Sequence, residues 1–433
     1  LNLNFFKDIH RPMTDITETK PARAPAEILA HDANAVDLLL SKAGARIRAG
    51  RLSVVTPSGA RFTFKGTVPG PSARIIIHRW RALGAMALKA SVGLGQSYAR
   101  GDWDSPDLPV LVAFLACNVD QGARHTTLAR ISRRIRHMVS ELRPNSLAGS
   151  RRKIAYHYDI GNDFYGTWLD SSWTYSGALF QHPDMTLEQA QIAKYRRLAE
   201  KLSLAPGDHI LEIGCGWGSF ALFAALEYGV RVTGVTLSEE QLALARQRAH
   251  EAGVENQVNF NLRDYRELRG QYSHIVSVEM LEAVGESYWP VYFDTLSRCL
   301  APGGCVAIQS IVIDPTAYPD YRAGADFIQS CIFPGGMLPS TPIIMNEAER
   351  AGLILQDEAM FGLHYARTLN IWRQKFTAAL PQVIDQGFDE NFCRLWNFYL
   401  AYCEGGFLAG RVDVGQWVFK KSLSDSRIES AQS

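Results

Sequence analysis

Short apolar runs alternate with helical periodicities between residues 209 and 313 of this 433-residue chain. His209 to Ile213 is an apolar run of strand length. Phe220, Leu222, Phe223 and Leu226 then recur at helical spacing. Val230 to Leu237 predicts a second strand. Ser238 to Gln241 predicts a capping box, with the Ser oxygen taking early helix N–H groups and Gln241 reaching back. That helix runs through Leu242, Leu244, Ala245 and Ala249 to a stop at Gly253. Val258 to Leu262, His274 to Val278 and Cys305 to Ile313 predict three more strands. A helix is expected over 288–300 and a turn over 301–304. Strands alternating with helices imply a doubly wound parallel α/β sheet. Ligands of such sheets sit beyond the carboxyl ends of the strands. Gly214, Thr236, Asp264, Glu279 and Gln309 fall near those ends.

The link from the first strand to its helix is Gly214-Cys215-Gly216-Trp217-Gly218. Glycines let the backbone turn sharply and approach a ligand without a Cβ clash. The following helix N-terminus favours an anionic or nucleotide-like group. The dinucleotide fingerprint needs its third glycine one residue later. The spacing therefore points to S-adenosylmethionine rather than to a nicotinamide or flavin.

Other stretches set the boundaries. Residues 1–30 predict a flexible tail, and Met13 is the expected natural start. Residues 31–120 predict a small α/β domain. Its expected elements are a helix from Ala35 to Leu40, strands at 52–55, 62–64 and 73–77, and a helix over 108–117. Residues 121–150 predict a basic linker, and 151–425 the catalytic domain. Between 121 and 155, eight arginines (124, 130, 133, 134, 136, 143, 151, 152) and Lys153 face one acid, Glu141. Leu128, Ile131, Ile135, Met138 and Leu142 give that segment an apolar stripe. It reads either as a surface helix for an anionic membrane or as a solvated interdomain helix. The stretch from Thr341 to Lys421 is expected to be mostly helical. Its aromatics, from Trp372 to Phe407, read as core or as the wall of an apolar tunnel.

Net charge is +1, which gives no nucleic-acid signal. Seven cysteines show no zinc spacing, so no metal is expected and the thiols read as reduced and cytoplasmic. No run reaches the ~18 apolar residues of a membrane span. Association with a membrane is expected to be peripheral.

Several motifs converge in order and spacing. They are Tyr156 to Tyr165, Thr174 to Phe180, Glu279 to Gly285, Tyr321 to Ser340 and His364 to Trp372. In these the chain resembles the cyclopropane-fatty-acyl-phospholipid synthase family. That resemblance implies a class I methyltransferase fold, Rossmann-like, with a smaller N-terminal α/β domain and helical insertions. It implies transfer of the S-adenosylmethionine methyl carbon to a cis double bond in a membrane phospholipid, closing a cyclopropane. It also implies a dimer in many members. By position, the cofactor residues are Tyr175, Ser176, Gly214, Cys215, Gly216, Thr236, Leu237, Gln241, Asp264 and Tyr265. The family's bicarbonate, which takes a proton, would be held by Glu282 and Tyr365. Gly177 stands at its Cys position and Gln309 at its His position. Plant-like branches share the Glu-Met-x-Glu-Ala-Val-Gly and Gln wording. The rival readings are a methyl-branching enzyme, a small-molecule methyltransferase and an inactive lipid-binding scaffold.

Overall fold

The computed structural model describes residues 44, 46–118 and 160–421. The tail, the expected helix over 35–40, the basic segment and the motif residues 156–159 lie outside them. The N-terminal unit carries β1 (Ala49–Val55), β2 (Arg61–Lys65), β3 (Val68–Ile77) and β4 (Trp103–Asp104), in sheet order β2-β1-β3-β4. Two helices accompany this sheet. The first, α1 (Arg81–Ala99), is interrupted at Ala90 (φ 48°) and has no counterpart in the sequence reading. The second, α2 (Leu108–Cys117), starts where the Asp107 side chain accepts from the Val110 N–H, as an N-cap does.

The larger unit is a seven-stranded sheet. Its strands are β5 (His209–Ile213), β6 (Arg231–Thr236), β7 (Val258–Leu262), β8 (Tyr272–Val278), β9 (Leu300–Ile313), β10 (Leu353–Met360) and β11 (Val412–Lys421). Their order is β10-β11-β9-β8-β5-β6-β7, and β5 to β9 pair in parallel. The order reverses between β5 and β8, which puts the crevice at their carboxyl ends. The helices α3 (Leu187–Leu202), α4 (Ser219–Tyr228), α5 (Glu239–Glu251), α6 (Trp289–Cys299), α7 (Thr341–Arg350), α8 (Gly362–Ala378) and α9 (Glu390–Leu408) complete the unit. This is the doubly wound α/β fold expected of a class I methyltransferase.

The stretch from Thr341 to Lys421 is mostly helical, as expected, and it also carries β10 and β11, which add an edge to the sheet, with β11 antiparallel to both neighbours. One expectation needs correction. The expected turn at 301–304 lies within β9, whose pairing with β8 shifts register between Tyr272 and His274.

One hydrophobic cluster joins both units. Phe62, Phe64, Ile75 and Trp103 share it with Trp372, Trp396, Phe398 and Phe407. The Trp103 ring meets Phe398 edge-on with centroids 6.1 Å apart. Burial of rings this large dominates the packing energy of such a contact. Helices α8 and α9 thus brace the crevice from the side that faces the N-terminal unit.

Candidate active site

After β5 the chain turns through Gly214, Gly216 and Gly218, all at positive φ, before α4 begins. At Gly214 (φ +82°) a Cβ would lie 2.8 Å from Met280 Cγ, so the position excludes a side chain twice over. The N–H groups of Gly214 and Cys215 both donate to the Val235 carbonyl, which ties the turn to β6. At the end of β6, Thr236 Oγ1 donates to Gln241 Oε1 at 2.8 Å. Ser238 does cap α5, accepting from the Gln241 N–H. Gln241 does not reach back as a capping box would, because its side chain serves Thr236 instead.

A cavity of about 1000 Å³ opens over this turn. Tyr175, Ser176, Gly214, Cys215, Gly216, Thr236, Leu237, Gln241 and Tyr265 line it, nine of the ten residues read from sequence as cofactor-binding. Asp264 is not on the wall. Its carboxylate is gripped by Arg266, with Nε to Oδ1 at 2.8 Å and Nη2 to Oδ2 at 2.7 Å. The cavity extends from the glycine turn to Met86, Leu94 and Val112 of the N-terminal unit. The aromatic question is settled residue by residue: Tyr399, Tyr402 and Phe407 line the cavity, while Trp372, Phe376 and Phe398 are fully buried in the core.

Glu282, Tyr365 and Glu279 meet at the cavity's inner wall. Glu279 follows the last residue of β8, and its carboxylate gathers three donors. The Gly177 N–H reaches Oε1 at 2.8 Å, Gln309 Nε2 reaches Oε1 at 2.8 Å, and the Tyr365 hydroxyl reaches Oε2 at 2.6 Å. Gln309 itself is fully buried and does not line the cavity; its Oε1 accepts from Gln416 Nε2 at 2.9 Å. Glu282 takes the Ser310 hydroxyl at 3.0 Å and the Ile311 N–H, both on Oε1. Its Oε2 is buried without a hydrogen-bond partner among the described residues.

Charge follows from this burial. Burial raises Glu279, and the Tyr365 hydroxyl and the Lys194 charge offset only part of that rise. Burial, then the neighbouring Glu279 charge, push Glu282 up from 4.5 to about 8. Burial pulls Lys194 down against the carboxylates of Glu279, Asp170 and Glu212. The site thus sets two carboxyl groups, both pushed up by burial, near one buried lysine whose charge burial disfavours.

In the sequence, Glu279 was visible as a residue at a strand end and as the first residue of the motif running to Gly285, with no role assigned. In the structure it has φ +50°, a left-handed conformation that costs a non-glycine residue on the order of 1 kcal/mol. Gly177 complements it. A Cβ there would lie 2.8 Å from the Tyr365 ring, so the absent side chain lets that ring close on Glu279. Of the groups at the positions assigned by resemblance to bicarbonate, the Gly177 N–H, Gln309 and Tyr365 are already engaged by the Glu279 carboxylate, and Glu282 takes Ser310 and Ile311. A free bicarbonate does not fit these residues.

The family model for mycolic acid cyclopropane synthetase matches residues 145–417. Tuberculostearic acid methyltransferase of Mycobacterium tuberculosis is 40% identical over 82% of this chain and 85% of its own. Cyclopropane-fatty-acyl-phospholipid synthase of Escherichia coli K12 is 35% identical over 78% of this chain and 85% of its own. The solved structure of mycolic acid cyclopropane synthase CmaA1, complexed with SAH and CTAB, superposes with a TM-score of 0.59 at 30% identity. It covers 65% of this chain and all of that one.

Proposed function

This chain belongs to the mycolic acid cyclopropane synthetase family, and from that premise we propose that it cyclopropanates the cis double bond of an unsaturated phospholipid acyl chain. It is an S-adenosylmethionine-dependent methyltransferase. The observation that carries the substrate reading is the single cavity joining the glycine turn to the N-terminal unit. It offers a nucleoside end and an apolar length walled by Leu94, Val112, Leu369 and Phe407.

When bound, S-adenosylmethionine supplies an electrophilic methyl group. The chain's own residues do the rest. Gly216, with open space where a Cβ would stand, leaves room for the cofactor beside the turn, and Thr236 with Gln241 presents hydroxyl and amide groups at the nucleoside end. An alkene is a weak nucleophile, so its alignment in a closed pocket matters. The rings of Tyr175, Tyr365, Tyr399 and Phe407 border the cavity and would face a cationic acyl carbon without trapping it. The proton then has two buried carboxyl groups within reach, Glu279 and Glu282.

A second reading, a mid-chain methyl-branched product, is favoured by the identity to the tuberculostearic acid methyltransferase. The test is product analysis with a trideuteromethyl donor and vesicles of unsaturated phospholipid. Ring closure leaves two donor deuteriums and no double bond. A product that keeps a chain double bond and all three deuteriums overturns the synthase reading in favour of branching.

Access to the substrate is proposed to be peripheral. No helix among the described residues is long and apolar enough to cross a membrane. The arginine-rich stretch over 121–155 supplies charge for an anionic surface.

A further inference from the structure

We infer that the Glu279 carboxylate is the proton acceptor of this reaction, carried by the chain in place of a dissolved bicarbonate. The inference rests on reading the site as an acyl-chain methyltransferase.

Four observations converge on Glu279. Its carboxylate lies on the cavity wall and takes the Gly177 N–H, the Gln309 amide and the Tyr365 hydroxyl. Its backbone is held at φ +50°, where a glycine would sit without strain. Gly177 leaves open the space through which the Tyr365 ring reaches it. Lys194, fully buried, stands near enough for its charged form to favour an ionised Glu279. Burial and the Glu279 charge itself keep the other carboxyl, Glu282, protonated at neutral pH, so it is not the acceptor there.

The step balances without a further reactant. The alkene π pair bonds to the methyl carbon, and the broken C–S pair stays on sulfur. This leaves S-adenosylhomocysteine and a cationic carbon in the acyl chain. One C–H bond of the new methyl then breaks. Its proton goes to a Glu279 oxygen, and its electron pair closes the ring. In the branched alternative the broken C–H lies on the chain carbon beside the cation, and the pair forms a double bond. In both, Glu279 ends protonated and returns the proton to solvent after product leaves.

The experiment compares wild type, Glu279→Gln and Glu279→Gly, each saturated with S-adenosylhomocysteine, in melts with sodium bicarbonate or sodium chloride under carbon dioxide-free gas. Turnover is measured on unsaturated phospholipid vesicles in the same buffers. Bicarbonate is expected to leave the wild-type melting point and turnover unchanged. Glu279→Gln should lose at least roughly a hundredfold in turnover while keeping its calorimetric affinity for S-adenosylhomocysteine. Glu279→Gly, with the cradle emptied, should melt higher in bicarbonate and recover part of its turnover there. A wild type that melts higher or turns over faster in bicarbonate overturns the inference, as does a Glu279→Gln variant of undiminished rate. The melts need no turnover. A wild type that labels no phospholipid therefore refutes the substrate reading, while the bicarbonate response still decides this one.

Discussion

Lys194 Nζ donates to Ser176 Oγ across 2.6 Å, from a side chain with no solvent exposure. Its charge is the one that Glu279 and Glu212 both feel. Lys194→Met leaves those carboxyl groups without their buried cation and is expected to cost about 3 kcal/mol or more. Glu279 also becomes harder to ionise, so the acid limb of the turnover–pH profile should move to higher pH. Urea melts and a pH–rate series check both effects. A destabilised variant with an unmoved limb would reduce Lys194 to a structural role.

Gly214→Val places a branched side chain where even a Cβ meets Met280, and at a φ that valine avoids. Affinity for S-adenosylhomocysteine should fall by roughly a hundredfold or more, or about 2.7 kcal/mol. Titration calorimetry measures it, with circular dichroism to verify the fold. Equal binding by the two proteins would remove the glycine turn from the cofactor site.

Glu282 gives stability a pH slope. Its folded value of about 8 lies above the ordinary 4.5. Between these values the folded form holds a proton that the unfolded form has released, so rising pH favours unfolding. This contribution is full below 4.5 and is lost as pH climbs through about 8. Glu282→Gln lacks that proton. Its melting point relative to wild type should therefore grow more positive between about pH 5 and about pH 8. A difference that stays constant over the range would show Glu282 ionised throughout.

Arg133→Glu with Arg134→Glu reverses two charges in the basic stretch. Each charge near an anionic surface is worth about 1 kcal/mol. Co-sedimentation with phosphatidylglycerol vesicles should weaken in this variant, and in wild type as salt rises. Binding indifferent to both would assign the stretch to a plain linker.

Gly177→Cys pushes a side chain into the Tyr365 ring. Overpacking of this kind costs about 1–3 kcal/mol. Thermal melts should show the loss, and Glu279→Gly in the same chain should relieve part of it.

The middle of the sheet was legible because strands such as β5 are largely buried and read as apolar runs, with glycines marking the turns. The outer strand β10 was not. Its residues Gln356, Asp357 and Glu358 suit a strand with one wet edge, and they resemble a helix face in sequence. Nine of the ten residues expected at the cofactor share one cavity wall, and they were legible because they cluster in motifs. Asp264 stands apart from them, off the cavity wall, with both carboxylate oxygens taken by its neighbour Arg266. Glu279 was seen but given no role. What defines it is a contact with the Gly177 N–H, 102 residues away in sequence, and a backbone angle that no spacing rule reveals.

The fit among Gly177, Tyr365 and Glu279 also bears on ancestry. A side chain at 177 displaces the Tyr365 ring, and that ring's hydroxyl is bonded to Glu279. A descendant cannot acquire the family's cysteine first and surrender the glutamate later without passing through a crowded site. Losing the glutamate first leaves a site with neither a carboxylate of its own nor the full anion cradle. The three positions are therefore coupled, and a change at one alters what the other two can hold.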